Sequence, residues 1–108
     1  SDGVAYYDQG MHNKALLAFD QGIKVDPKNA LLQFNKGNAL YALGNYTDSI
    51  DCWEEAITIG FPDESQPRYR IGNALRMLHR NSEAEAAYTK ARELGYSGPM
   101  TQMEMTTT

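Results

Sequence analysis

The sequence repeats itself with a period of about 34 to 35 residues, and this periodicity restricts the possible folds most strongly. Residues 37–56, GNALYALGNYTDSIDCWEEA, form the clearest copy. Its shared positions hold small or bulky residues, namely Gly37, Leu40, Gly44, Ser49, Trp53 and Ala56. The preceding copy has Gly3, Tyr6, Gly10, Ala15, Phe19 and Gly22, and the following copy has Gly72, Leu75, His79, Ala84, Tyr88 and Ala91. The spacing predicts pairs of short helices that pack closely, joined in the second copy by a Gly-Asn turn.

These motifs resemble the tetratricopeptide repeat (TPR) family. The second copy carries KGNALYALGNY, SIDCW and EEA, and the first copy closes with Val25-Asp26-Pro27. Gln33 and Arg68 replace the Trp usually found early in the first helix, and Lys36 replaces the Leu before Gly37. The resemblance implies an all-α protein, a right-handed α-solenoid of about three helix-turn-helix repeats.

The domain organisation follows from the repeat boundaries. We expect a TPR domain over residues 1–96, with repeats at about 1–29, 30–64 and 65–96, and a flexible tail over residues 97–108. The first repeat is expected to be truncated at its N-terminus, because later repeats have more residues before the shared glycine. This suggests a portion of a longer repeat protein.

Helix starts are expected at residues whose side chains accept hydrogen bonds from backbone N–H groups. The predicted N-caps are Asn13, Asn29, Thr47, either Glu64 or Ser65, and Ser82, which forms an S-x-x-E capping box with Glu85. Pro67 fits the first turn of its helix, where a missing N–H costs nothing.

Helix ends are expected at glycines and at residues that tolerate the left-handed conformation. Gly10 and Gly44 should form turns between helices, and His79 should take the same conformation in the third repeat. Gly60-Phe61 and Gly95-Tyr96 have the pattern of a Schellman stop, in which the residue after the glycine makes a hydrophobic contact.

Composition argues for one soluble globular domain rather than a membrane or nucleic-acid protein. The chain is 42% hydrophobic and 22% charged, and no apolar run approaches the roughly 18 residues of a membrane span. A formal charge of -4 disfavours RNA or DNA as a partner. Cys52 is the single cysteine, so no internal disulfide can form. We expect a cytoplasmic protein.

No catalytic pattern is found in the sequence. His12 and His79 lie in turn regions of different repeats, too far apart on a solenoid to share a metal. Cys52 is surrounded by acidic residues, which do not activate a thiol. We therefore expect no enzyme activity, no metal and no cofactor.

The candidate site is the concave surface lined by the first helix of each repeat. The predicted peptide-binding residues are Phe34, Asn35, Asn38, Tyr41, Tyr69, Arg70, Asn73 and Arg76. Flanking positions of the same surface hold Val4, Tyr7, Asp8, Leu31, Ala42, Gln66 and Met77. A repeated aromatic offers apolar area, and a repeated amide offers a donor and an acceptor to an extended peptide.

The TPR resemblance also implies roles for some of these positions. In the family, asparagines of the first helices often contact the backbone of a bound peptide, and chaperone-binding members clamp a terminal carboxylate with Asn, Lys and Arg. Asn35 and Arg70 match that clamp, whereas Val4 and Gln66 depart from it. The implied clamp is therefore incomplete.

Two function classes follow. The first is an adaptor for a protein or peptide ligand, and an acidic ligand is expected from the cluster of Arg68, Arg70, Arg76 and Arg80. Alternatively, these arginines pair with acidic residues of the stack, namely Asp48, Asp51, Glu54 and Glu55. The second class is a structural scaffold that self-assembles into a homo-oligomer through repeat ends and the convex surface.

Overall fold

The protein is a stack of antiparallel helices, seen in a computed structural model that describes the backbone of residues 2–98 and the side chains of residues 10–98. The described residues form α1 (Asp2–Val25), α2 (Ala30–Ala42), α3 (Tyr46–Ile59), α4 (Ser65–Met77) and α5 (Asn81–Glu93). No strand occurs in residues 2–98. Each helix packs on the next one along the chain, so that α2–α3 and α4–α5 are complete hairpins. The predicted all-α repeat architecture is confirmed. The expected tail at 97–108 lies outside the described residues after position 98.

α1 differs from the prediction because it runs without interruption through Gly10. The turn predicted at Gly10 and the N-cap predicted at Asn13 are both wrong. Glycine inside a helix costs only about 1 kcal/mol relative to alanine, and the following residues include good helix formers such as Lys14 and Ala15. Residues 11–25 therefore form the second helix of the first repeat, whereas residues 2–9 continue along the same axis.

α1 is held to α2 by close packing and by one ion pair. A Cβ on Gly22 would lie 3.0 Å from Leu32 Cδ1, so the two helices approach closely there. Lys36 Nζ lies 2.8 Å from Asp20 Oδ1. The hydrogen bond to Asp20 raises the pKa of Lys36, although partial burial acts against it. Lys36, which replaces an apolar family residue, thus links two successive repeats.

Two helix starts have a side-chain hydrogen bond. Asn29 is the predicted N-cap of α2, and its Oδ1 accepts from the Leu32 N–H at 3.2 Å. At α4 the acceptor is Asp63, whose Oδ1 accepts from the Ser65 N–H at 3.2 Å and from the Ser65 hydroxyl at 2.5 Å. Glu64 occupies the N-cap position without a side-chain cap hydrogen bond. Pro67 lies in the first turn, as predicted.

The starts of α3 and α5 differ from the prediction by a residue or two. α3 begins at Tyr46 and α5 at Asn81, so Thr47 and Ser82 are already helical and neither caps its helix. Asn45 and Arg80 occupy the N-cap positions without side-chain cap hydrogen bonds. The preceding turns are tight, so each following helix begins directly after its turn. The Asn45 N–H donates to Leu40 O at 2.9 Å, and the Arg80 N–H donates to Leu75 O at 2.9 Å.

Apart from the turn at Gly10, the predicted helix stops are confirmed. Gly44, Gly60 and Gly95 have φ of 84°, 116° and 95°, and His79 takes the left-handed region with φ of 62°. After α3 the Phe61 N–H donates to Ala56 O at 2.9 Å, and after α5 the Tyr96 N–H makes the equivalent bond to Ala91 O at 2.9 Å. These bonds across six residues are those of the Schellman motif.

The core of each hairpin is a bulky ring packed on a glycine. Trp53 lies against Gly37 and Tyr88 lies against Gly72, and each ring is 1% exposed. The predicted alternation of small and large residues is therefore what sets the separation of the two helices in each hairpin.

Candidate functional site

The first helices of the two complete hairpins, α2 and α4, lie side by side. The Arg70 guanidinium of α4 reaches across to α2, with Cζ 5.1 Å from the centroid of the Phe34 ring. Farther along the helices, Arg76 lies close enough to Tyr41 for its charge to act on the phenol. We call this surface the α2–α4 wall, and its half-buried members are Asn35, Asn38, Tyr41, Arg70, Asn73 and Arg76.

Phe34 and Tyr69 are core residues, which corrects their expected role as apolar ligand contacts. Phe61, which follows the glycine at the end of α3, stacks on Phe34 with ring centroids 4.5 Å apart. Tyr96 stacks on Tyr69 in the same way at 4.1 Å. The rings leave Phe34 9% and Tyr69 8% exposed. In each hairpin, the aromatic residue after the helix-ending glycine thus covers the aromatic residue of the first helix. Little of the Phe34 and Tyr69 ring surface remains for a ligand.

Asn38 and Asn73 are oriented by hydrogen bonds to the hairpin core. Asn38 Oδ1 accepts from Trp53 Nε1 at 3.2 Å, and Asn73 Oδ1 accepts from the Tyr88 hydroxyl at 2.6 Å. Neither Nδ2 donates a hydrogen bond to any residue in 10–98. Each amide therefore has an engaged oxygen and an available NH₂ group, which narrows the expectation of a donor and an acceptor at both positions.

The four clustered arginines divide into two pairs. Arg68 lies 2.9 Å from Glu64 and Arg80 lies 2.6 Å from Glu83, so both have acidic partners within their own hairpin. Arg70 and Arg76 form no ion pair with the side chains of residues 10–98. The alternative pairing with Asp48, Asp51, Glu54 and Glu55 is therefore not what the structure has at these two positions.

The two unpaired arginines also carry unsatisfied hydrogen-bond donors. The Nε atoms of Arg70 and Arg76 are buried, and neither has a hydrogen-bond partner among the described residues. Buried donors without acceptors are uncommon in folded proteins because desolvation is costly.

Tyr41 joins the wall to the aromatic core. Its ring makes an edge contact with Tyr46 at 5.2 Å and a tilted contact with Trp53 at 5.9 Å. Burial raises the pKa of the Tyr41 phenol, Tyr46 adds to the effect, and the Arg76 charge opposes it. The phenol is therefore uncharged at neutral pH, and the wall carries the two positive charges of its arginines.

A cavity of about 240 Å³ lies between α1 and α2, next to the wall. Its lining residues are His12, Ala15, Phe19, Asn35, Asn38 and Ala39. Asn35 and Asn38 therefore border both the wall and this cavity. Of the flanking residues predicted from sequence, Val4, Tyr7 and Asp8 lie outside the described side chains.

The described residues contain no group of three or more His, Cys, Asp or Glu side chains that could hold a metal ion. Cys52 is 8% exposed, and burial raises the pKa of its thiol. None of the described helices has the length and apolarity to cross a membrane.

Comparison with known proteins identifies the repeats. A model of the TPR repeat matches residues 3–44, and a model of the tetratricopeptide repeat matches residues 30–60. The chain belongs to the tetratricopeptide repeat family. Among curated relatives, the STIP1 homolog of Dictyostelium discoideum is 36% identical over 85 residues, which are 79% of this chain and 15% of that protein. This TPR chain thus spans a small part of the relative's length.

Solved structures share the fold. The second TPR of Spaghetti (RPAP3), bound to the HSP90 peptide SRMEEVD, superposes with a TM-score of 0.72 at 25% identity, covering 86% of this chain and 85% of that one. A structure of MamA superposes with a TM-score of 0.73 at 26% identity, covering 83% of this chain and 53% of that one. The family, the fold and a peptide-bound neighbour of similar length identify a protein-interaction module.

Proposed function

We propose that this TPR module binds an extended acidic segment of another protein along the α2–α4 wall. The observation that carries the proposal is the state of Arg70 and Arg76, whose charges have no acidic partner among residues 10–98. Hydrogen bonds between guanidinium and carboxylate are stronger than neutral ones. Carboxylate side chains of the ligand would supply the acidic partners that these two half-buried arginines lack among residues 10–98.

The amides of the wall suit the backbone of the same ligand. Asn38 and Asn73 stand one repeat apart, and each has its oxygen engaged and its NH₂ free. Backbone carbonyl oxygens are acceptors, so an extended segment would present the complementary group to each amide. The proposed ligand-contacting residues are Asn35, Asn38, Tyr41, Arg70, Asn73 and Arg76, while Phe34 and Tyr69 support them from the core.

The neighbouring structure with a bound peptide supports an acidic ligand for this chain, but it does not require that the ligand be a C-terminal segment. The SRMEEVD peptide in that structure contains three carboxylate side chains within its sequence. This chain has Val4 and Gln66 at two positions of the family's terminal carboxylate clamp. We therefore propose an acidic stretch within a protein as the ligand.

The proposed location is the cytoplasm, where a chain with a single unpaired cysteine meets a reducing medium.

Peptide titration tests this proposal. Fluorescence anisotropy with labelled acidic, neutral and basic peptides of equal length should show saturable binding of the acidic set, weakened by salt. The Arg70→Gln, Arg76→Gln double variant should lose affinity by about tenfold or more, which is about 1.4 kcal/mol.

The matched control removes the same charge from the paired arginines. The Arg68→Gln, Arg80→Gln double variant should bind within about threefold of the unaltered protein, since exposed ion pairs contribute little. Equal losses for the two double variants would indicate a general charge effect and contradict a site at the α2–α4 wall.

A further inference from the structure

Within the part of the chain that the structure describes, the second helix of the first repeat lacks the first-helix covering that its equivalents have. In the complete hairpins, Trp53 packs on Gly37 and Tyr88 packs on Gly72. Phe19 holds the same repeat position in α1, but it lies beside the cavity of about 240 Å³. The cavity is therefore located where a first helix covers this face in the other two repeats.

The N-terminal third of α1, residues 2–9, does not cover this face in its own chain. α1 has 24 residues and α2 has 13, which at 1.5 Å per residue correspond to about 36 Å and about 20 Å. The helices are antiparallel, because Gly22 meets the start of α2 at Leu32 while Phe19 shares the cavity with Ala39. Residues 2–9 thus extend past the end of α2, away from the cavity.

Residues 2–9 have the sequence pattern of the first helix that covers this face in the other two repeats. Gly3 stands at the position of Gly37, and Tyr6 stands at the position of Leu40. The TPR model also matches the chain from residue 3 onward. We propose that residues 3–9 of a second copy pack over the cavity, so that two chains exchange the N-terminal segments of α1 reciprocally. Such an exchange is a common route to a symmetric dimer.

The exchange would extend the proposed ligand surface. Asn35 and Asn38 border the cavity, so the second copy's helix would lie directly beside the α2–α4 wall. A dimer would then contain two walls of three helices each, although the exchange itself does not depend on a ligand.

Crosslinking between single-cysteine variants tests the exchange. In a Cys52→Ser background, Gly3→Cys protein is mixed with Phe19→Cys protein, unfolded and refolded together, and treated with a short bis-maleimide. A crosslinked heterodimer is expected. The control replaces Phe19→Cys with Leu17→Cys, which is 66% exposed on another face of α1 and should give little product. Equal yields for the two mixtures, or no product in either, would overturn the proposal.

Light scattering provides a second measurement on two matched substitutions, without peptide. No described atom lies within 4 Å of a Cβ on Gly10, so Gly10→Ala should strengthen the continuous helix and raise the dimer fraction. Met11→Asn recreates the Gly-Asn turn of the second repeat, which lets a chain cover its own cavity, and it should lower the dimer fraction. Strictly monomeric protein up to millimolar concentration, or the same dimer fraction for both variants, would contradict the exchange.

Discussion

Gly37 lies directly beneath the Trp53 indole, where a Cβ would be 2.5 Å from Nε1 and 2.6 Å from Cδ1. The indole cannot move aside easily, because it is 1% exposed and its Nε1 donates to Phe34 O at 3.1 Å. The separation of α2 and α3 therefore depends on the absence of a side chain at this position.

Gly37→Ala should destabilise the protein by about 1–3 kcal/mol, the usual cost of overpacking a core. Gly10→Ala is the control, since a Cβ there meets no described atom and should add about 0.5–1 kcal/mol of helix stability. Urea denaturation followed by circular dichroism measures both. A neutral effect of Gly37→Ala would show that the hairpin can open without cost.

The left-handed turns predict opposite effects for two substitutions at equivalent positions. His79 has φ of 62° and should cost energy there, so His79→Gly should stabilise the protein by up to about 1 kcal/mol. Gly44→Ala should destabilise the protein by about 1 kcal/mol, because its φ of 84° is unfavourable for a residue with a Cβ. No described atom lies within 4 Å of the new Cβ, so this backbone cost is the whole expected effect. Thermal unfolding compares the two variants, and a shift of the same sign for both would refute the explanation.

Tyr96 should be needed for the stability of the last hairpin. Tyr96→Ala removes the ring stacked on Tyr69 and should cost about 1–3 kcal/mol. Leu94→Ala, two residues earlier and 40% exposed, should cost much less. Denaturation of both variants checks the difference, and similar losses would mean that the stack contributes little.

Cys52 should react slowly in the folded protein. Its raised pKa keeps the thiol protonated at neutral pH, and the side chain is 8% exposed. Because the thiolate is the reactive form, labelling by a thiol reagent should be slow in buffer, with a pH dependence displaced upward from that measured in urea. The raised pKa in the folded state also means that ionisation at alkaline pH favours unfolding. Equal labelling rates in buffer and urea would contradict burial.

The sequence predicted best what is set by backbone geometry and close packing. The positions of Gly44, Gly60 and Gly95 and the left-handed His79 follow from local conformational preference, and all are confirmed. The spacing of small and bulky residues likewise predicted that the two helices of a hairpin pack closely, and the contact between Gly37 and Trp53 shows how they do so.

The sequence failed where two local choices have similar free energies. Gly10 can end a helix or remain inside one at a cost of about 1 kcal/mol, and repeat periodicity favoured the wrong choice. Phe34 and Tyr69 were assigned to a ligand surface because helical position alone does not reveal a partner beyond the hairpin. The signal was present in the equal separation of Phe34 from Phe61 and of Tyr69 from Tyr96, which marks a repeated pair.

The hydrogen bonds from Trp53 and Tyr88 have a consequence for molecular selectivity. By engaging the oxygens of Asn38 and Asn73, these two buried side chains fix which end of each amide faces outward. An ammonium group of a ligand could not form a hydrogen bond with these NH₂ groups, because both partners are donors. An oxygen acceptor of a ligand could form one at each position. Two buried residues that a ligand does not contact thus determine the polarity of the surface. A substitution inside the hairpin can therefore change the ligand selectivity of the surface without changing its shape.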